Sequence, residues 1–500
     1  MPSDRGALTT APAWRLAELI RRREVSPVEV LDAHVARLDA VEPHLNAVVA
    51  ERLDDARREA HAAEARARVS ADPASLPPLL GVPCTIKDFL AVRGLPWTAG
   101  LHARAAVRAD DDAAVVTRLR AAGAIIVAKT NVPEGGMWME TSNPLHGRTR
   151  NPWDPARTPG GSSGGEAALV AAGASPLGLG SDIAGSIRIP AGMCGVIGHK
   201  PTELLVPNTG HWGASTGEAE RMLCTGPLTR CVRDAELVLE LIAGPDGASR
   251  TTRTLAPREP ALDAGDLRGV TVVPLLATGR IRIAPVMRAA VERATAALEA
   301  RGATRRDLDA ATWKRLFGGS VATWLGALAR AGAPDADDVA AGAPGSFADV
   351  LTEGEPLRVL PELWRIARGR GRYSASTLGL VAMERLSKPL ERHLFAGAPG
   401  AAEIQAGLED LLGPRGVLIH PTFSRPAPRH VWPLLTPFDA VCTALFSVAG
   451  LPATAVPVGF DAHPLPVAVQ VIGRRGNDRL TLAGARVLED ALGGWVPAPI

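Results

Sequence analysis

Residues 160–190 read GGSSGGEAALVAAGASPLGLGSDIAGSIRIP: four glycines around two serines, then apolar runs (Ala167 to Ala172, Pro176 to Gly180), then a second small-residue loop ending at Pro190. Glycine at this density lets the backbone approach a ligand and adopt positive φ. The apolar runs between the two loops argue for tight, packed turns and against a flexible linker. Upstream, Leu79 to Ile86 suits a buried strand ending at Lys87, Ala113 to Ala121 a helix and Ala124 to Ala128 another buried strand. That alternation defines an α/β class. Ser26-Pro27-Val28-Glu29 reads as a capping box opening an amphipathic helix through Leu31, Val35 and Leu38. A second, Ala/Arg-rich helix follows it. Downstream, Val417 to Ile419 and Ala453 to Val458 return to strand-like runs. The sheet is therefore expected to be completed from the C-terminal part, in one interdigitated domain over residues 1–500. Residues 305–400, with Trp313, Trp324 and Trp364, read as a helical cap inserted within it and broken by a loop from Gly332 to Gly345.

Five hundred residues, 46% of them apolar, can bury a large core, and a formal charge of +2 supplies no field for nucleic acid or anionic lipid. Arg21 to Arg23 is a solvated face in a mixed helix. The first thirty residues lack the apolar stretch of a signal peptide and no window has the length of a membrane span, so a cytoplasmic protein with no membrane segment is expected. Cys84, Cys194, Cys224, Cys231 and Cys442 are scattered without CxxC spacing, which points to buried apolar residues and to neither a disulfide framework nor a metal site. Only five of the 55 basic residues are lysines: Lys87, Lys129, Lys200, Lys314 and Lys388. Arginine does not surrender its proton, whereas a desolvated lysine serves as a general base.

Two loops carry candidate chemistry. Gly160 to Gly165 is a weak signal by itself; a phosphate-cradling loop needs Lys then Ser/Thr after the glycines, which are absent here. It also fits the G-x-S-x-G elbow of Ser-His-Asp hydrolases, which calls for a later acid and a histidine such as His420 or His430. The second loop sets Ser186 at a tight turn preceded by unobstructed N–H groups. Acyl transfer needs that pairing of an attacking oxygen with donors for the developing oxyanion.

Taken together, Lys87, Ser162 and Ser186 resemble the catalytic set of the amidase signature family, with the two serines 24 positions apart as in that family's signature. Gly81 to Asp88 looks like the lysine strand, and Lys129 to Glu134 like the segment before the acyl pocket. Thr443 to Gly459 and Pro464 to Gly473 look like the C-terminal sheet region. Met137-Trp138, Ser142 to Gly147, Asn151-Pro-Trp153 and Cys224 to Pro227 are most like the fatty acid amide hydrolase-type amidases.

The resemblance implies a central mixed sheet flanked by helices on both faces. It also implies a nucleophilic Ser186, a proton-relaying Ser162 held by a cis peptide bond, and neutral Lys87 as base. The oxyanion hole would be the N–H groups of Ile183, Ala184, Gly185 and Ser186; Ala184 departs from the family's usual glycine. Met137 and Trp138 would line the acyl pocket. Asp182 and Arg188 are expected to pair across the loop as supports. Lys129 and Lys200 lack the strand-end setting of Lys87. The implied function is a cofactor-independent amidohydrolase acting through an acyl-enzyme on a small molecule with an apolar acyl or aryl group: fatty acyl amides, aryl acylamides, or carbamates and esters. Two alternatives stay open: a Ser-His-Asp esterase on the elbow, and an amidotransferase A-type subunit releasing ammonia for a partner. A homodimer is compatible with the chain.

Overall fold

The computed structural model describes residues 5–213, 217–251, 253–331, 347–353, 357–387 and 399–500. Its strands are, in chain order, β1 (Val48–Glu51), β2 (Pro83–Lys87), β3 (Ile125–Thr130), β4 (Ser142–Asn143), β5 (Gly147–Arg148), β6 (Leu177–Asp182) and β7 (Ile197–Lys200). They continue with β8 (Cys224–Thr229), β9 (Thr271–Pro274), β10 (Thr304–Arg305), β11 (Gly416–Pro421), β12 (Ala453–Phe460) and β13 (Pro466–Gly473). Among the described residues, eleven of these form one sheet in the order β1-β3-β2-β6-β8-β7-β12-β13-β11-β9-β10, and β4 pairs with β5 apart from it. The sheet is mixed: β2 runs parallel to β3 and β6, while β6, β8, β7, β12, β13 and β11 succeed one another antiparallel. The C-terminal strands thus sit in the same sheet as the lysine strand.

Every residue of β2, β3, β6, β8, β11 and β13 is buried. Strands covered on both faces read as continuous apolar runs without alternation. In β3, Ile126 belongs to one apolar cluster while Ile125 and Val127 belong to another with the helix Pro27–Leu45, so helices cover both faces. That helix opens as expected: Ser26 Oγ accepts from Glu29 N at 3.0 Å and Glu29 Oε2 accepts from Ser26 N at 2.8 Å.

The lysine strand begins later than the apolar run suggests. Gly81 takes φ +75° and Val82 N donates to Leu79 O, so Leu79 to Val82 is a turn and pairing starts at Pro83. The short strand β1 was not read from the sequence. In the 305–400 region the described helices are Ala310–Phe317, Ser320–Ala331, Phe347–Thr352, Val359–Ala367 and Ala375–Ser387; the expected loop at 332–345 lies outside the described residues. Leu351, Tyr373, Leu378 and Val381 from this region share an apolar cluster with Phe89, Leu101, Val132 and Trp212. No helix among the described residues is long and apolar enough to cross a membrane.

Candidate active site

Lys87 is the last residue of β2 and is 1% exposed. Its Nζ donates to Ser162 Oγ at 2.7 Å and lies 3.1 Å from Ser181 Oγ and 3.2 Å from Ser181 O. The Phe89 ring covers it, 4.7 Å from the centroid. Burial pulls the ammonium down to about 7, against the attraction of Asp182 and Glu166. A lysine of ordinary affinity would be almost wholly protonated at neutral pH; this one is divided between its two forms.

Ser162 follows a cis peptide bond, Gly161–Ser162, and precedes the buried helix Gly164–Ala171. Gly161 has no room for a side chain, because a methyl there would lie 2.8 Å from Trp138 O. The next residue, Ser163, donates its N–H to Ser186 O at 3.1 Å, which brings the second serine's backbone against the first. Ser186 is half-buried. Among the described residues no hydrogen bond joins the two hydroxyls, so Ser162 is bonded to Lys87 and brought beside Ser186 by the main chain.

The four expected oxyanion donors are not equivalent. Gly185 N–H is turned onto Asp182 Oδ1 at 2.7 Å, and this corrects the expectation that it lines the hole. The N–H groups of Ile183, Ala184 and Ser186 have no acceptor among the described residues. Ala184 is not at positive φ, so its methyl is accommodated, whereas Gly185 stands at φ +133° and a methyl on it would run into Thr443 Oγ1. Substituting alanine for glycine at 184 therefore leaves this turn intact.

Asp182 and Arg188 pair as expected, both completely buried, with Nε to Oδ2 at 3.0 Å and Nη2 to Oδ1 at 3.0 Å. Burial would raise the carboxyl, but Arg188 holds it down at about 2. The guanidinium also donates to Thr443 O (3.0 Å), Gln470 Oε1 (2.8 Å) and Ser447 Oγ (2.7 Å). One arginine thus ties the Ser186 loop to the helix Val441–Val448 and to β13.

The remaining candidates separate cleanly. Lys129 Nζ is committed to Leu90 O (2.7 Å), Pro96 O (3.1 Å) and Asp88 Oδ1 (3.0 Å), and Lys200 Nζ to Pro201 O (3.0 Å) and Leu451 O (2.9 Å). Both ammonium ends are tied into the surrounding main chain, away from Ser162 and Ser186. His420 bonds Leu275 O through Nδ1 at 2.7 Å, and burial lowers it to about 4. His430 bonds Glu140 Oε1 at 2.7 Å and Pro155 O at 3.2 Å. Neither histidine is hydrogen-bonded to Ser162, and no strand leads into it, which overturns the elbow reading. Met137 packs at the edge of the Phe89, Trp212 and Leu351 cluster; Trp138 is half-buried, and its carbonyl faces Gly161.

Three neighbours of the site were not read from the sequence: Ser181, Phe89 and Glu166. Glu166 sits in the first turn of the helix after Ser162 and accepts from Thr85 Oγ1 (2.5 Å) and Thr130 Oγ1 (2.8 Å); burial raises it to about 8. A signal existed for it, a carboxylate inside an otherwise apolar helical run. Phe89 and Ser181 had none beyond adjacency to named residues.

Comparison with known proteins gives the family. The amidase family model matches residues 29–482. The chain is 37% identical over 504 residues to fatty-acid amide hydrolase 2-B of Danio rerio, covering 99% of this chain and 92% of that one. It is 34% identical to the A-type subunit of glutamyl-tRNA(Gln) amidotransferase from Roseiflexus sp. (strain RS-1), covering 93% of each. The solved structure of 6-aminohexanoate cyclic dimer hydrolase complexed with substrate superposes with a TM-score of 0.70 at 28% identity, covering 97% of both chains. The chain belongs to the amidase signature family, whose members act on amide C–N bonds.

Proposed function

We propose that this chain is a serine amidohydrolase using a Ser186, Ser162 and Lys87 triad on amides with an apolar acyl or aryl group. Ser186 Oγ attacks the carbonyl carbon as its proton passes to Ser162 Oγ and the Ser162 proton passes to neutral Lys87 Nζ. Lys87 returns its proton through Ser162 to the leaving nitrogen as the tetrahedral intermediate collapses and the C–N bond breaks, and water then attacks the resulting ester by the same relay. The observation that carries this reading is the buried Lys87 Nζ, 2.7 Å from Ser162 Oγ and depressed to about 7, where general-base catalysis at neutral pH is efficient.

The surroundings favour an apolar substrate. Phe89, Trp212, Met137, Leu351 and Tyr373 cluster on one side of Lys87, and Met139, Ile189, Met193 and Phe423 cluster beside the Ser186 loop. The likeness to a fatty-acid amide hydrolase points the same way. The likeness to an amidotransferase component supports a second reading, ammonia release for a partner, which predicts little amidase activity in the isolated chain.

The test is intact-protein mass after treatment with a fluorophosphonate, comparing wild type with Ser186→Ala, Ser162→Ala and Lys87→Ala. One adduct, lost in Ser186→Ala and slowed at least ~100-fold in the other two, is expected. Undiminished labelling of Ser186→Ala would refute the assignment. Turnover of a fatty acyl anilide by the purified chain separates the amidohydrolase from the amidotransferase reading.

A further inference from the structure

We infer that Thr443 is a positioning residue for acyl transfer: with Asp182 it clamps the Ala184–Gly185 peptide so that the flanking N–H groups face the substrate's carbonyl oxygen. The inference rests on Ser186 being the nucleophile.

Thr443 Oγ1 donates to Ala184 O at 2.7 Å, and Gly185 N–H donates to Asp182 Oδ1 at 2.7 Å. These are the two polar ends of a single peptide unit. A peptide unit is planar and, when trans, points its C=O and N–H in opposite directions. Holding both ends fixes the orientation of the plane. The N–H groups on either side, at Ile183, Ala184 and Ser186, are the ones without acceptors among the described residues.

Thr443 is itself rigidly placed. It is fully buried near the start of the helix Val441–Val448. Its carbonyl accepts from Arg188 Nη1 at 3.0 Å, and the carbonyl before it, Cys442 O, accepts from Gln470 Nε2 at 2.8 Å. Its hydroxyl also lies 3.0 Å from Ala440 O, the back-bond ordinary for a helical threonine. The shorter contact to Ala184 O wins, so the hydroxyl proton is directed at the loop. Gly185 completes the fit by leaving that space free of a side chain.

Valine has the shape of threonine without the proton donor. For Thr443→Val, kcat/KM is expected to fall roughly 10- to 100-fold, with the loss in kcat and KM held within about twofold. Affinity for a trifluoromethyl ketone, whose adduct carries an oxyanion, is expected to weaken by the same factor, and Thr443→Ser to recover most of both. Wild-type kcat in Thr443→Val, or a fallen kcat with ketone affinity intact, would overturn the inference. A crystal structure of the wild-type ketone adduct gives a second reading that needs no folded variant. The adduct oxygen within hydrogen-bonding distance of Ser186 N, with Thr443 still on Ala184 O, supports the inference; Thr443 rotated onto Ala440 O overturns it. Fluorophosphonate labelling that survives Ser186→Ala would sink the nucleophile assignment itself, whatever Thr443 does.

Discussion

Asp182 and Arg188 are six residues apart and wholly buried, and between them they make two 3.0 Å bonds across the turn that carries Ser186. Burying such a pair gains little by itself, but removing one partner strands the other charge in the core. Arg188→Met is therefore expected to lower stability by about 3–5 kcal/mol, read as the shift in urea midpoint, and to abolish activity. The pair also sets an acid limit. The folded carboxyl sits at about 2, below its ordinary 3.8, so its stabilisation is complete above about pH 4 and is lost as pH falls toward 2. Arg188→Met should lose that part of the acid transition.

Lys87 is active when neutral. With the folded group at about 7, the rate of fluorophosphonate labelling should rise with pH through a midpoint near 7 and fall about tenfold per unit well below it. A midpoint near 10 would mean that the ammonium is not desolvated in solution.

Lys87 and Lys129 should respond oppositely to the same substitution. Lys129 is paired with Asp88 and two carbonyls, so Lys129→Met leaves the buried Asp88 carboxylate without its counter-charge, held only by Thr98 N and Oγ1, and should cost about 3–5 kcal/mol. Lys87 has no carboxylate within 4 Å among the described residues, and Lys87→Met should raise the melting temperature while cutting activity by at least ~1000-fold. That gain should be largest at or below pH 7 and fade toward pH 10, because between those values the unfolded chain holds the lysine proton that the folded one has released.

Gly178 packs against the Glu166 carboxyl, and a methyl there would run into Oε2. Gly178→Ala should therefore disturb the helix that presents Ser162, lowering stability by about 1–3 kcal/mol and slowing labelling. Gly319→Ala, at an exposed position without positive φ and with nothing within reach of the added methyl, is the control without a clash.

His420 and His430 are committed to Leu275 O and Glu140. Fluorophosphonate labelling of His430→Gln and His420→Gln, compared at a temperature where both are folded, should stay within about threefold of wild type. A loss of several hundredfold in either would bring a histidine base back into the mechanism.

The readable and unreadable parts of this protein divide by sequence distance. The strand ending at Lys87, the helix after Ser26 and the two small-residue loops could be placed because local composition determines them: apolar runs, a capping box, glycine density. The elbow pattern around Ser162 was misleading for the same reason, since a five-residue pattern says nothing about which base lies opposite. The engagement of Gly185 N–H by Asp182 was missed because it depends on the path of a turn. Thr443 and Gln470, more than 250 residues from Arg188, could not be tied to the Ser186 loop without knowing that β13 and the helix before β12 pack against it. The strand β1 is only four residues, three half-buried and Glu51 exposed, too short for a periodic signal.

The bonds from Arg188 to Thr443, Ser447 and Gln470 also bear on the order of events during synthesis. A nascent chain that has emerged only through Pro190 contains all three proposed triad residues, yet the turn bearing Ser186 lacks its scaffold until residues 441–473 have left the ribosome. N-terminal fragments carrying the whole signature should therefore be inert until the C-terminal segment is supplied in trans.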